Sequence, residues 1–185
     1  MCIRDSDTPT AQNDVGFIDE GETLTVTNGA NANVSGSYDA DEEHSGDLID
    51  TSSSSHQDSD PDASPTLRIS AIQPSGGSSS SVSSGSSYNS SGTSVTGTYG
   101  TLTIGADGSY TYAANDSISG FDANETLTDT FTYTLSDEHD ATDTATLTIT
   151  LLGQDNEDPT GVNNTNAVNE DATVTVTNGT SGVTG

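Results

Sequence analysis

Positive charge is almost missing from this chain: Arg4 and Arg68 stand alone against 29 acidic residues, for a formal net charge of −27 over 185 residues. Nucleic acid and anionic membrane surfaces are therefore excluded as expected partners, because both need cationic groups that displace counterions. Cysteine is nearly absent too. Cys2 is the single copy, so no internal disulfide can form and any stapling of the fold falls to metal. No apolar run approaches the ~20 residues that span a bilayer, and no membrane insertion is expected within this chain. Catalytic signatures are missing as well: there is no G-x-S-x-G, no H-E-x-x-H, no Gly-rich phosphate loop and no C-x-x-C. His44, His56 and His139 lie scattered in acidic segments and read as solvated. Paired carboxylates abound, but the sequence offers no apolar pocket that would raise one of them for acid–base work. An enzyme is not expected.

Large aliphatic side chains are also scarce. Nine Leu, eight Ile, ten Val and three Phe in 185 residues fall below the ~20% at which a highly charged chain is expected to fold. Their placement argues otherwise. In TLTDTFTYTL (126–135) the apolar side chains are Leu127, Phe131, Tyr133 and Leu135; in TATLTITLL (144–152) they include Ala145, Leu147, Ile149 and Leu151. Strand side chains point to alternate faces, so both segments bury one face and clothe the other in threonine, a β-branched residue that stays wet. The same alternation marks TLTVT (Leu24, Val26), TLRIS (Leu67, Ile69), YGTLTI (Leu102, Ile104) and SYTY (Tyr110, Tyr112), with weaker candidates at 15–18 and 48–49.

ADGS (106–109) reads as a hairpin turn in which Asp-Gly supplies positive φ, and SDEHDATD (136–143) joins the two longest strands. Seven to nine short strands with polar turns and no helical period predict an all-β fold, a two-sheet antiparallel sandwich. Two stretches break the pattern. The segment 35–64 is acidic and irregular, and 75–97 is so rich in Ser and Gly that it reads as a flexible loop carrying no core residue.

One phrase occurs twice. TLTVTNG (23–29) returns as TVTVTNG (173–179), offset by 150 residues between Asn28 and Asn178, each with an acidic lead-in. Self-similarity at that interval implies one full repeat and the start of a second. The expected organisation is a sandwich over 7–159 and a truncated second repeat over 160–185. Residues 1–6 (MCIRDS) lack an apolar signal core and resemble a non-native leader, so the chain is expected to be a piece of a longer protein whose secretion signal lies outside it.

GTYGTLTIGADGSYTYAAN (97–115), DTFTYTLSD (129–137) and DTATLTITLLG (143–153) together resemble the VCBS-type, cadherin-like repeats of large bacterial RTX adhesins and surface proteins. DSDPDASPTLRISAI (58–72) resembles the acidic segment that precedes a strand in that family. The chain departs from the pattern at Glu138 and Asp140, where glycines are usual, and at GQDNEDP, which carries extra acidic residues. The resemblance implies an Ig/cadherin-like sandwich that is extracellular or on the bacterial cell surface. It also implies calcium as the bound ion.

Candidate ligands follow partly from the residues and partly from the resemblance. DSDPD sets Asp58, Asp60 and Asp62 on alternate positions, from which three carboxylates can converge, and calcium takes six to eight hard oxygens. Neither DSDPD nor DADEEHSGDLID (39–50) fits an EF-hand, which needs glycine at its sixth position. A solvated acidic loop competes equally for each cluster. The resemblance adds Asp155, Asn156 and Asp158 at the joint to the next repeat, with Asn13 and Asp14 in the equivalent place before this one. Antiparallel order then brings Asp137 and Asp140 to the end that holds Asn13 and Asp14. The expected function is a calcium-binding structural and adhesive module in cell adhesion or biofilm. Its partners would be neighbouring repeats of the same chain, surface polysaccharide or other cells. The alternative is a carbohydrate-binding or spacer module of a secreted hydrolase. Tyr88, Tyr99, Tyr110 and Tyr112 would then be candidates for sugar stacking, although the phase of Tyr110 and Tyr112 favours core packing.

Overall fold

The structure, a computed structural model, describes residues 7–29, 34–36, 44–49, 56–61, 66–116, 118–154, 170, 175–176 and 183–184. Its strands in chain order are β1 (Asp14–Asp19), β2 (Thr23–Val26), β3 (Val34–Ser35), β4 (Arg68–Pro74), β5 (Ser80–Ser81) and β6 (Thr93–Thr96). They continue with β7 (Gly100–Ile104), β8 (Tyr110–Ala114), β9 (Thr126–Ser136), β10 (Thr142–Leu152), β11 (Thr175–Val176) and β12 (Val183–Thr184). One sheet runs β1-β10-β9-β4-β5, the other β3-β2-β8-β7-β6, and among the described residues β11 pairs with β12. Every described pairing is antiparallel except β1 with β10, which run parallel from Asp14 beside Leu147 to Asp19 beside Leu152. The all-β sandwich expected from the alternation is what the chain forms.

The alternation explains the core. Phe131, Tyr133 and Leu135 of β9 and Leu147, Ile149 and Leu151 of β10 are fully buried, facing Leu24, Leu102, Ile104, Tyr110 and Tyr112 of the other sheet. The opposite phase lies outside: Thr134, Thr132, Thr130 and Thr128 pair across the strands with Thr144, Thr146, Thr148 and Thr150. In the second sheet Thr25, Thr111, Thr103 and Ser94 follow one another across four strands in the same way. Both wide faces therefore carry uncharged hydroxyls. The expected Asp-Gly turn is present, with Gly108 at φ +87 and the Asp107 carboxylate accepting from the Ser109 amide at 3.1 Å.

Two expectations need correction. The Ser-rich stretch 75–97 is not a loose loop. It holds β5 and β6, sends Val82 and Val95 into the core, and buries Ser86, whose hydroxyl accepts from the Ala106 amide at 3.0 Å. Two apolar residues thirteen apart among serines give no periodic signal, and the packing comes instead from turn hydrogen bonds that composition hides. The candidate strand at 48–49 does not form either. Leu48 is nevertheless fully buried, held by its amide on the Gly108 carbonyl at 3.1 Å.

Candidate metal centre

Strand direction sorts the carboxylates. Asp19, Glu20, Glu22, Asp116, Asp122 and Glu125 lie at the end where β1 finishes. Asp14, Asp47, Asp58, Asp60, Asp107, Asp137, Glu138, Asp140 and Asp143 lie at the end where β1 begins. Asp129, between the sheets, is the main exception among the described strands and turns.

At the β1-start end the incoming segment is tied down before the strand begins. Thr10 bridges Ser59 through reciprocal backbone bonds of 2.8 and 3.1 Å, and the Ala11 amide donates to Asp143 Oδ2 at 2.9 Å. The Gln12 amide donates to Asp58 Oδ1 at 2.8 Å. Asn13 Oδ1 accepts from both the amide and the hydroxyl of Thr146, at 3.0 and 2.9 Å. Asp14 follows, almost fully buried, with its Oδ2 accepting from Tyr133 Oη at 2.7 Å. Burial pushes the Asp14 carboxyl up to about 6; hydrogen bonds from Tyr133 and Ser45 and the nearby His56 oppose that rise, while Asp47 adds to it. Tyr133 responds in kind: burial, then the charges of Asp14 and Asp58, drive its phenol far above the usual range. Sequence alone showed no apolar pocket for a carboxylate. Folding nevertheless buries Asp14, because a residue outside the alternating blocks falls on the inner face of β1 beside the hydroxyl of a tyrosine from β9.

Asp137 and Asp140 come to the same end, as expected. Asp137 is fully buried and its Oδ1 accepts from the His139 and Ala141 amides at 2.9 and 2.7 Å. Asp140 pairs with Arg68 at 2.9 Å. Asp58 is buried and Asp60 half-buried beside this entrance. Asp62, Asp155, Asn156 and Asp158 lie outside the described residues. Among the described residues no three acidic, histidine or cysteine side chains are grouped closely enough to hold a metal ion. Carboxylate oxygens are hard donors of the kind calcium takes, but the described residues do not group them into a site.

The expectation of solvated histidines changes for His44 and His56. His44 is half-buried, not solvated; its ring packs edge-on against Phe17 and its Nδ1 accepts from the Phe17 amide at 3.3 Å. The His56 ring meets the Asn13 carbonyl at 2.6 Å. Tyr110 and Tyr112 are fully buried and cannot stack on a sugar, whereas Tyr88 and Tyr99 are half-buried. At the far end, Asp19, Asn124, Glu125, Thr126 and Gln154 line an open cavity of about 350 Å³.

Sequence reasoning missed Asp129. Its carboxylate reaches from β9 to the opposite sheet, accepting from the Thr98 amide at 2.8 Å, the Tyr99 amide at 2.9 Å and Tyr112 Oη at 2.7 Å. Gly97 permits that approach, since a Cβ there would sit 2.3 Å from Asp129 Oδ2. The available signal was an acidic residue on an inward, odd-numbered position of β9.

No described helix is long and apolar enough to cross a membrane. The sequence model of the bacterial cadherin-like domain matches residues 6–153. No curated protein matches the chain.

Proposed function

Because the chain belongs to the bacterial cadherin-like domain family, we propose that it is a calcium-binding structural and adhesive repeat of a large secreted or cell-surface bacterial protein. The observation that carries this reading is the sorting of charge: both ends of the sandwich are acidic and both wide faces are not. Repeats joined end to end press like charges together, and that repulsion works against a compact joint. A divalent cation between the ends reverses the sign of the interaction. Asp14, Asp58 and Asp60 do not by themselves group into a site; with Asp62 and oxygens of the neighbouring repeat they would hold calcium where one repeat follows another, and Asp155, Asn156 and Asp158 would be their counterparts at the next joint. Calcium would supply charge neutralisation and fixed coordination there. The carboxylates serve the joint, not acid–base catalysis. Stiffened arrays present many weakly binding modules at once, and avidity raises their hold by ~10²–10⁴.

X-ray scattering from two tandem repeats tests the reading. Millimolar calcium should give a rod of fixed maximum dimension, chelator a bent, broad distribution, and Asp155→Asn with Asp158→Asn should give the chelator result even in calcium. Identical scattering in calcium and in sodium of matched ionic strength would overturn it.

A further inference from the structure

The free edge of β1 is covered by two side chains. Val15 and Phe17 point their backbone groups away from β10, and a strand edge of this kind is a template for pairing with another chain. The Ser45 amide donates to the Val15 carbonyl at 3.0 Å, and the Ser45 hydroxyl both accepts from the Val15 amide at 3.0 Å and donates to that carbonyl at 3.2 Å. Next along the edge, the Phe17 amide donates to His44 Nδ1 at 3.3 Å, with the imidazole edge-on to the Phe17 ring at 5.7 Å and 89°. Residues 44 and 45 therefore imitate a neighbouring strand.

The two halves of this cover differ chemically. Serine accepts and donates at any pH. Histidine accepts at Nδ1 only while neutral, and a protonated ring turns the same nitrogen into a donor facing a donor. We propose that His44 is the acid-released half of a guard over the β1 edge, and that acidification opens this edge at Phe17 to pairing with a strand of a second copy of the chain. Burial favours the neutral imidazole and lowers the His44 pKa below its ordinary 6.5. The guard is accordingly intact above that ordinary value and is lost as pH falls through the lowered one. Titratable groups on the elements packed against it are carboxylates: Asp14 and Asp19 of β1, and Asp47 on its own segment. Glu42 and Glu43 precede it in sequence. The occupant follows from shape and charge. An edge of alternating backbone donors and acceptors fits another extended strand, and acid also reduces the repulsion that keeps copies carrying −27 apart.

Amide hydrogen exchange with sedimentation analysis, run on the whole chain at about pH 8 and about pH 5, tests this. After correction for intrinsic exchange, protection of the Phe17 amide should fall about threefold to tenfold on acidification, the loss expected for one hydrogen bond, and the chain should begin to self-associate. His44→Gln keeps a neutral acceptor at both pH values and should show neither change; His44→Ala should expose the amide at both. Protection that does not respond to pH, or that falls equally in His44→Gln, overturns the guard. Acid self-association that is equal in wild type and His44→Gln overturns the pairing.

Discussion

Asp129 and Asp14 are both buried carboxylates that accept a tyrosine hydroxyl at 2.7 Å, one toward each end of the sandwich. Around Asp129 the chain supplies everything. Two backbone amides from the turn before β7 and one phenol point at it, so its oxygens are met by donors that folding must satisfy anyway. Asp14 has two hydroxyls for company, and other carboxylates act on the same site: Asp47 on its carboxyl, and Asp58 and Asp143 on its partner Tyr133. The difference separates a carboxylate whose charge the fold satisfies from one whose charge the fold opposes, and on the proposed reading the second is where a cation would act. Amide donors stabilise the Asp129 charge internally, whereas burial and the neighbouring Asp47 oppose the charge on Asp14.

Breaking the Asp129 side should have the larger effect. Asp129→Ala strands the Tyr112 hydroxyl and two amides between the sheets, and should cost ~3 kcal/mol or more of unfolding free energy. Because no cation is involved, the loss measured by urea denaturation should be equal with calcium and with chelator. A loss that calcium repairs would erase the distinction between the two sites.

Asp14→Asn should act in the opposite direction. The folded pKa of about 6 lies above the ordinary 3.8, so the folded state binds protons more tightly and metal-free stability falls as pH rises from roughly 4 to 6. Removing the charge should therefore raise metal-free stability near neutrality by ~2–3 kcal/mol and leave it unchanged near pH 4. It should also abolish part of any calcium gain. Equal denaturation midpoints for wild type and variant across that range would show that Asp14 is not strained by burial.

The fold was more legible than the site, for a physical reason. Alternation in 126–135 and 144–152 reports sheet faces directly, because strand geometry forces side chains to opposite sides. Val82 was not legible: it is a single apolar residue among serines, tied by its amide to the Ser70 carbonyl at 2.9 Å, and Leu48, read with Ile49 as a weak strand, is instead tied as an irregular segment to the Gly108 carbonyl. The site is harder still. Asp14 and Asp129 look like any acidic residue in a chain with 29, and only the meeting of distant strands tells a buried staple from a solvated charge. His44 illustrates the same limit, since its partner Phe17 is 27 residues away.

The calcium dependence of thermal unfolding tests the central claim most directly. Binding confined to the folded state stabilises it by RT ln(1 + [Ca]/Kd), ~2.7 kcal/mol at a hundredfold excess, and extracellular modules bind with Kd of order 10⁻⁴–10⁻³ M. Millimolar calcium should therefore raise Tm by several degrees over sodium at the same ionic strength, with the gain reduced in Asp58→Asn and Asp60→Asn. Superimposable melting curves in calcium and in matched sodium would reduce the acidic ends to a solvated surface and contradict the account.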